Sequence, residues 1–375
     1  MRTKKWLRIS AAVLAFGLLA SACSDDGGDE TTEDETTDTG QEGEGEGEGG
    51  DAAGNTLQTV QDRGTLVCGV NGSVPGFSFA DEEGNITGFD ADYCRAVAAA
   101  VLGDPEAVEF RQLTAEQRFT ALQAGEIDVL IRNTTWTATR DGSEGSTFAM
   151  TTFYDGQGLM VKSDAGVSSL EDLQGATVCV LSGTTTELNL TTLSESEGLN
   201  LSPQTFEDNE TLQSAFEQGQ CQAWTSDKSQ LAAVKSNFPE EQGGPEGLTI
   251  LEDTISKEPL GPVTREGDPT WSQLVNWVVI ATIQAEEFGI NQGNVEGFES
   301  ESPDVQRFLG QSEGEAFDPG LGFPSATWTV DVLSAVGNYG EIYDRHIGPD
   351  TPLGLERGLN NLWTEGGLLY PPPYR

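Results

Sequence analysis

The sequence predicts an α/β protein of two lobes, each a mainly parallel sheet flanked by helices. Three observations predict it. Strand-like and helix-like runs alternate between Thr65 and Arg132, and the alternation restarts after a Gly-interrupted stretch at 154–161. Repeated β-α-β units give parallel strands with helices on the sheet faces. The region from Thr56 to Arg375 is too long for one small core and suits two.

Taken in order, Thr65–Val70 reads as a buried strand and Asn71–Gly76 as a turn-rich loop. Asp90–Leu102 reads as a helix because Tyr93, Val97 and Val101 recur at helical spacing. Val108–Leu113 is a strand, Ala115–Ala124 a helix with Phe119 and Leu122 inward, and Asp128–Arg132 the next strand. The stretch 154–161 crosses to a second lobe. There, strand 176–181 leads to a helix from Thr185, strand 203–206 to helix 209–218, and strand 221–225 to helix 228–237. Leu248–Leu251 is extended, and Gly261-Pro-Val263 is the expected return crossing. Helix Trp271–Phe288 follows, with Leu274, Trp277, Val278 and Ala281 apolar. The first lobe is therefore expected to be discontinuous, residues 57–157 and 261–375, around an inserted second lobe, 158–260.

The first 23 residues read as a targeting segment. Arg2, Lys4, Lys5 and Arg8 precede a short apolar run, Ile9 to Ala22. That run is shorter than the ~20 residues a spanning helix needs. Leu19-Ala-Ser-Ala-Cys23 resembles a bacterial lipobox, which implies cleavage before Cys23 and its acylation; an ordinary secretory cut near Ala22 is the alternative. Two or more acyl chains anchor stably where one does not. Residues 24–55 hold thirteen acids and no Lys or Arg. Such a segment builds no core and is extended by self-repulsion, a tether between membrane and domain.

The whole chain carries a formal net charge of −43. Nucleic acid is excluded as a natural partner, because it requires a basic face. Besides Cys23 there are four cysteines, Cys68, Cys94, Cys179 and Cys221. Export permits disulfides, and four cysteines allow three connectivities. Cys68–Cys94 with Cys179–Cys221 is favoured because each pair stays within one expected lobe; four buried thiols are the alternative. No CxxC pair exists and His346 is the one histidine, so no metal site and no cofactor is expected.

The stretch Val129-Leu-Ile-Arg-Asn-Thr-Thr-Trp-Thr-Ala-Thr-Arg140 carries the most functional information. An apolar strand ends in amide, hydroxyls and a guanidinium. Ligands of open α/β sheets bind beyond the carboxyl ends of strands, and the Arg fork matches a carboxylate. Strand 178–181 runs into Gly183-Thr-Thr-Thr and a helix start, and strand 221–225 ends near Asp227. An Arg, a helix N-terminus and an Asp complement the carboxylate and ammonium of one amino acid. Thr184 to Thr186 are equally ordinary helix caps, as Asp227 is for the helix after it. Trp136 and Trp224 flank the expected site and are as readily core residues.

Several ordered motifs carry a family resemblance: Cys68-Gly-Val-Asn, Gly88-Phe-Asp-Ala-Asp-Tyr-Cys-Arg, Arg118-Phe-Thr-Ala-Leu-Gln-Ala-Gly-Glu-Ile-Asp, Arg132-Asn-Thr-Thr-Trp-Thr, Gly183-Thr-Thr-Thr-Glu-Leu-Asn and Gly366-Gly-Leu-Leu-Tyr-Pro-Pro-Pro. Over nearly all of 57–375 the chain resembles substrate-binding proteins of polar-amino-acid ABC transporters, the general L-amino-acid-binding subgroup in particular. The resemblance implies the type II periplasmic-binding-protein fold, two α/β lobes joined by two hinge strands. It places Arg140 on the ligand α-carboxylate, Thr185 on the same carboxylate from the other lobe, and Asp227 on the α-ammonium. Asn133 and Thr135 fall where relatives supply further polar contacts, with Thr184 beside them, and Asn71 where relatives often carry an acid. Two pocket aromatics of relatives are missing: Val74 and Ala115 stand at their positions, with Phe119 near the second.

The implied function is capture of free L-amino acids, broad and polar-leaning, by lobe closure, with delivery to an ABC permease. The protein is then a monomer outside the cytoplasm, lipid-anchored to the outer face of the cell membrane, and not an enzyme. Two alternatives share the fold: a ligand-presenting sensor, and a cyclohexadienyl-acid dehydratase-like enzyme. The enzyme needs a positioned acid or base; His346 lies outside every motif, but carboxylates could serve.

Overall fold

The computed structural model describes residues 54–311 and 320–375. The expected signal segment, Cys23 and nearly all of the tether lie outside the described residues. A short helix α1 (Thr56–Arg63) leads into β1 (Leu66–Val70). A small antiparallel sheet follows, β2 (Ser73–Val74), β3 (Ser78–Ala80) and β4 (Ile86–Thr87). Strands of two or three residues are too short to show an alternating pattern, so the sequence shows only the loop at Asn71–Gly76 here. Then come α2 (Phe89–Leu102), β5 (Val108–Gln112), α3 (Gln117–Gln123), β6 (Val129–Leu130), α4 (Ala138–Ser143) and β7 (Ser146–Phe148).

The long β8 (Phe153–Lys162) opens a second sheet, joined by β9 (Thr177–Leu181), α5 (Thr185–Ser196), β10 (Ser202–Phe206), α6 (Asn209–Glu217), β11 (Ala223–Asp227), α7 (Lys228–Ser236), β12 (Leu248–Ile250) and β13 (Ser256–Leu260). The chain returns with β14 (Val263–Arg265) and α8 (Pro269–Glu287), and ends with α9 (Pro303–Phe308), α10 (Trp328–Val336), α11 (Tyr339–His346) and an irregular tail.

The first sheet has the order β5-β1-β6-β14-β7, with β1 parallel to β5 and β6, and β14 antiparallel to β6 and β7. The second has the order β10-β9-β11-β8-β12, with β9 parallel to its neighbours and β8 antiparallel to β11. Beyond its pairing with β11, β8 pairs β13 from Phe153↔Leu260 to Gln157↔Ser256. This two-stranded ribbon joins the sheets.

The second sheet is buried on both faces. Met160, Cys179, Leu212, Phe216, Trp224 and Leu231 form one core cluster; Leu159, Val161, Val178, Val180, Leu190 and Ala223 form the other. Successive strand residues point to opposite faces, so two cores demand continuous apolar runs such as Val178-Cys-Val-Leu181. In the first lobe α2 is buried almost throughout, its alanines letting it lie close to β1, α8 and α10. Phe77, Phe89, Phe153 and Tyr343 meet mostly edge to face beside it. His346 is a packing residue: its Nε2 lies 2.7 Å from Asp92 Oδ2, where Arg345 also bonds.

Cys68 is bonded to Cys94 and Cys179 to Cys221. The first bond ties β1 to α2, the second ties β9 to the chain just before β11. They close loops of 26 and 42 residues. The chain-entropy relation then gives about 3–4 kcal/mol for each. Cys179→Ser with Cys221→Ser is expected to lower unfolding free energy by that amount in urea titration. Retention of wild-type stability would show that the entropic term is cancelled.

Candidate ligand-binding cleft

Strand ends build the site. Beyond β6 the chain turns at Asn133, whose φ is 32°. Few L residues tolerate this left-handed conformation, and Asn is one that does. Asp90, in the first turn of α2, accepts the Asn133 N–H at 2.8 Å and fixes the turn. The next residues are bonded to the lobe-joining segment: Trp136 N–H donates to Pro259 O at 2.8 Å, and Gly261 N–H to Thr134 O at 3.1 Å. Thr137 caps α4, and Arg140 folds back from it, its Nη1 donating to Thr135 O at 2.8 Å. In the second lobe Thr184 caps α5, accepting from Glu187 N at 3.1 Å, and β11 ends on Asp227.

Asn133 and Thr135 of the first lobe meet Thr184, Thr185 and Asp227 of the second around one cavity of about 20 Å³. Asn71 lies one bond outside it, donating to Asn133 Oδ1 at 3.4 Å. Arg140 does not line this cavity; it stands behind Thr135, over the Phe119 ring at 5.3 Å. Trp224 is wholly core, and Trp136 is exposed and stacked on Phe148. Among the lining residues that escaped the sequence reading, Leu181, Ser226 and Gln230 included, two are charged, Arg118 and Arg132. A signal for Arg118 existed: it is one helical turn before inward-facing Leu122, so it shares the buried face of α3.

Charge is concentrated here out of water. Arg118 is 3 % exposed, and its Nε has no hydrogen-bond partner. Its tie across the cleft is a long hydrogen bond, Nη2 to Gly183 O at 3.4 Å. Burial, then the Arg140 and Arg132 charges, holds this guanidinium well below its ordinary pKa. Burial also brings Arg132 down to about 10, opposed by Asp90. On the other side burial, then Asp155 and Glu258, pushes the Asp227 carboxyl well above the usual range. Thr185 Oγ1 donates to Glu258 Oε2 at 2.8 Å. Its hydroxyl proton is thus engaged, and the backbone N–H at the α5 terminus is what remains for an anion. Among the described residues no His, Cys, Asp or Glu cluster suits a metal ion.

The lobes also meet through a closed ring of side chains. Asn71 donates to Asn133, Asn133 to Gln230 Oε1 (3.4 Å), Gln230 to Asn209 Oδ1 (2.7 Å), Asn209 to Ser73 Oγ (3.0 Å), and Ser73 back to Asn71 Oδ1 (2.7 Å). Asn71, Ser73 and Asn133 belong to the first lobe, Asn209 and Gln230 to the second. Asn133 Nδ2 also reaches Asp227 Oδ2 at 3.3 Å.

Two predictions test the closed geometry. Gly183 has φ 69°, and a Cβ there would come within 2.9 Å of Glu116 Cγ across the cleft. Gly183→Ala is expected to open the closed form and weaken any ligand that bridges the lobes at least tenfold, read by calorimetry. An unchanged affinity would mean that Glu116 yields freely. Burial pushes the Asp155 carboxyl up to about 6. Unfolded Asp titrates near ~3.9. Between those values the folded chain holds a proton the unfolded chain releases, so this group's contribution to stability falls as pH rises through the window. Asp155→Asn is expected to flatten the decline of Tm from pH 4 to 6.5; an unchanged slope would rule this out.

Known proteins resemble this chain closely. The model of bacterial extracellular solute-binding proteins, family 3, matches residues 66–300. The general L-amino acid-binding periplasmic protein AapJ of Rhizobium johnstonii is 46 % identical over 86 % of this chain and 94 % of its own length. The glutamate/glutamine/aspartate/asparagine-binding protein BztA of Rhodobacter capsulatus is 44 % identical over 87 % of this chain and 95 % of its own length. A solved periplasmic binding protein from Brucella ovis with glutathione bound is 45 % identical, with TM-score 0.81 over 85 % of this chain and 99 % of that one. The fold is that of type II periplasmic binding proteins, and the two-lobed frame with a polar cavity between its strand ends belongs to a member of the bacterial extracellular solute-binding proteins, family 3.

Proposed function

We propose that this chain captures free L-amino acids, broadly and with a preference for polar ones, by closing its lobes, and delivers them to an ABC permease. The observation that carries this is the charge pattern of the cavity. A buried guanidinium without a carboxylate bonded to it and with an unpartnered Nε, Arg118, stands on one side and a carboxyl driven toward protonation, Asp227, on the other. A zwitterion brings the missing counter-charge to both. Its carboxylate meets Arg118, the α5 N-terminus and, with a small side-chain shift, Arg140; its ammonium meets Asp227 and the Thr135 and Thr185 oxygens. Charge-assisted bonds out of water are the strong ones.

The cavity holds about 20 Å³, little more than the ~10–15 Å³ one water needs. An amino acid therefore requires the lobes to part and close again, which the β8/β13 ribbon permits as a hinge. Because the ligand contacts both lobes only when they are closed, it stabilises that state by its differential affinity. The names of AapJ and BztA support breadth and polarity. Glutathione, the molecule bound in the Brucella ovis protein, has a free α-amino-acid end and so presents the same zwitterion. Acylation at Cys23 and the acidic tether would hold the domain at the outer face of the cell membrane as a monomer. Among the described residues no helix is long and apolar enough to cross a membrane.

Calorimetry of the processed chain against the twenty amino acids tests the reading. Micromolar or tighter binding of several polar amino acids is expected, with quenching or enhancement of Trp fluorescence. Binding of none of them would overturn it.

A further inference from the structure

Two guanidiniums stand over one aromatic ring beside the cleft. The Cζ of Arg118 lies 5.2 Å from the centroid of the Phe119 ring, and that of Arg140 lies 5.3 Å from it. Both arginines are buried. Among the described residues no ion pair includes either of them. Each bonds to a backbone carbonyl instead, Arg118 Nη2 to Gly183 O at 3.4 Å and Arg140 Nη1 to Thr135 O at 2.8 Å. Phe119 does not line the inner cavity. It packs on the core of Leu113, Leu122, Leu130 and Phe148, which limits its motion. It also lines a separate groove of about 680 Å³ together with Glu116, Glu144 and Gly183. Burial works against both guanidinium charges, and Glu144, bonded to neither, supports them.

An aromatic face carries the negative part of the ring quadrupole and attracts a cation without accepting its N–H groups in line. A carboxylate in the same place would neutralise the arginines and occupy the edges that fork onto a ligand. The Phe119 ring therefore holds two like charges near each other and leaves N–H groups over for an incoming anion. Such a contact strengthens as water is removed. Gly183 belongs to the second lobe, so parting the lobes breaks its bond to Arg118 and admits water to that guanidinium. Closure removes the water again, and the attraction of the ring rises with it. An interaction that differs between the open and closed states shifts the balance between them.

We propose that Phe119 is a positioning residue for the ligand carboxylate. Its face holds the Arg118 and Arg140 guanidiniums where that carboxylate arrives, and it favours the closed, loaded cleft over the open one without touching a ligand atom. This rests on the amino-acid reading of the inner cavity.

Fluorine withdraws electrons from the ring face and barely changes the size of the ring. The test replaces Phe119 by its 4-fluoro, 3,5-difluoro and 3,4,5-trifluoro forms, built into the processed chain by nonsense suppression, so that the attraction fades while the packing stays. Calorimetry with L-glutamine and L-asparagine reads the affinity. The logarithm of Kd is expected to rise in step with the number of fluorines, to about tenfold at three, the span between a hydrated and a desolvated contact of this kind. Both probes are expected to lose the same factor, because the ring acts on the end they share, with Tm within a few degrees of wild type throughout. An affinity that stays flat across the series overturns the proposal, and a loss confined to Phe119→Leu would make the ring a packing group. Losses that differ between the probes overturn it too, since the ring would then be touching the ligand side chain. In either case the amino-acid reading stands. No binding of either probe by wild type overturns both readings together.

Discussion

Arg118→Met is expected to weaken amino-acid binding by about 2–5 kcal/mol, the range for leaving one member of a desolvated charge pair unpaired. The same substitution is expected to leave the empty protein as stable as wild type or more so. The reason is the sign of the shift. Burial and two neighbouring guanidiniums depress the Arg118 pKa, so the charged form is accommodated better by the unfolded chain than by the folded one. At neutral pH the group therefore opposes folding. Methionine has similar length and no charge to desolvate, and it loses the 3.4 Å bond to Gly183 O and the guanidinium contact over the Phe119 ring. Loss of function with gain of stability is the pattern of a residue kept for its ligand. Calorimetry and thermal unfolding of one preparation read both halves. A lower Tm with unchanged affinity would make Arg118 a structural prop instead.

Asp227→Asn is the second. Asparagine retains an acceptor for Asn133 Nδ2 but removes the negative charge, and affinity is expected to fall by a similar ~2–5 kcal/mol. Wild type carries a further signature. In the empty cleft burial, Asp155 and Glu258 raise the Asp227 pKa; an ammonium against it lowers that pKa again. Binding must therefore release protons, and affinity must weaken as pH falls through the raised value, because protonation competes with the ligand. Calorimetry in buffers of different ionisation enthalpy measures the release. Asp227→Asn should reduce it sharply, leaving only a contribution from Asp155. Equal proton release in wild type and variant would remove Asp227 from the ammonium site.

Much of the frame could be read from patterning. The runs Leu66–Val70 in β1, Leu159–Val161 in β8 and Val178–Leu181 in β9 are continuously apolar because both sheet faces are covered, and the helices between them show their period. The favoured cysteine pairing followed from the lobe layout and is the one formed. What escaped was short or nonlocal: the β2–β4 sheet, β7 and α4 have too few residues to display a period.

The site divides the same way. Asn133, Thr135, Thr184, Thr185 and Asp227 could be found because polar residues at strand ends stand out against the apolar runs before them. They line one cavity. Arg132 offered no signal, because an arginine in a linear sequence does not show whether water will surround it, and Arg118 offered only its place one turn before Leu122. Nor could the sequence show that Arg140 would turn its Nη1 to Thr135 O, or that five side chains spread from Asn71 to Gln230 would close into one ring. Local propensity and patterning decided which segments are strands and helices and which ends carry polar groups. Only the packing of one lobe on the other decided which charges lose their solvent, and that loss gives the cleft its demand for a small ion with both signs.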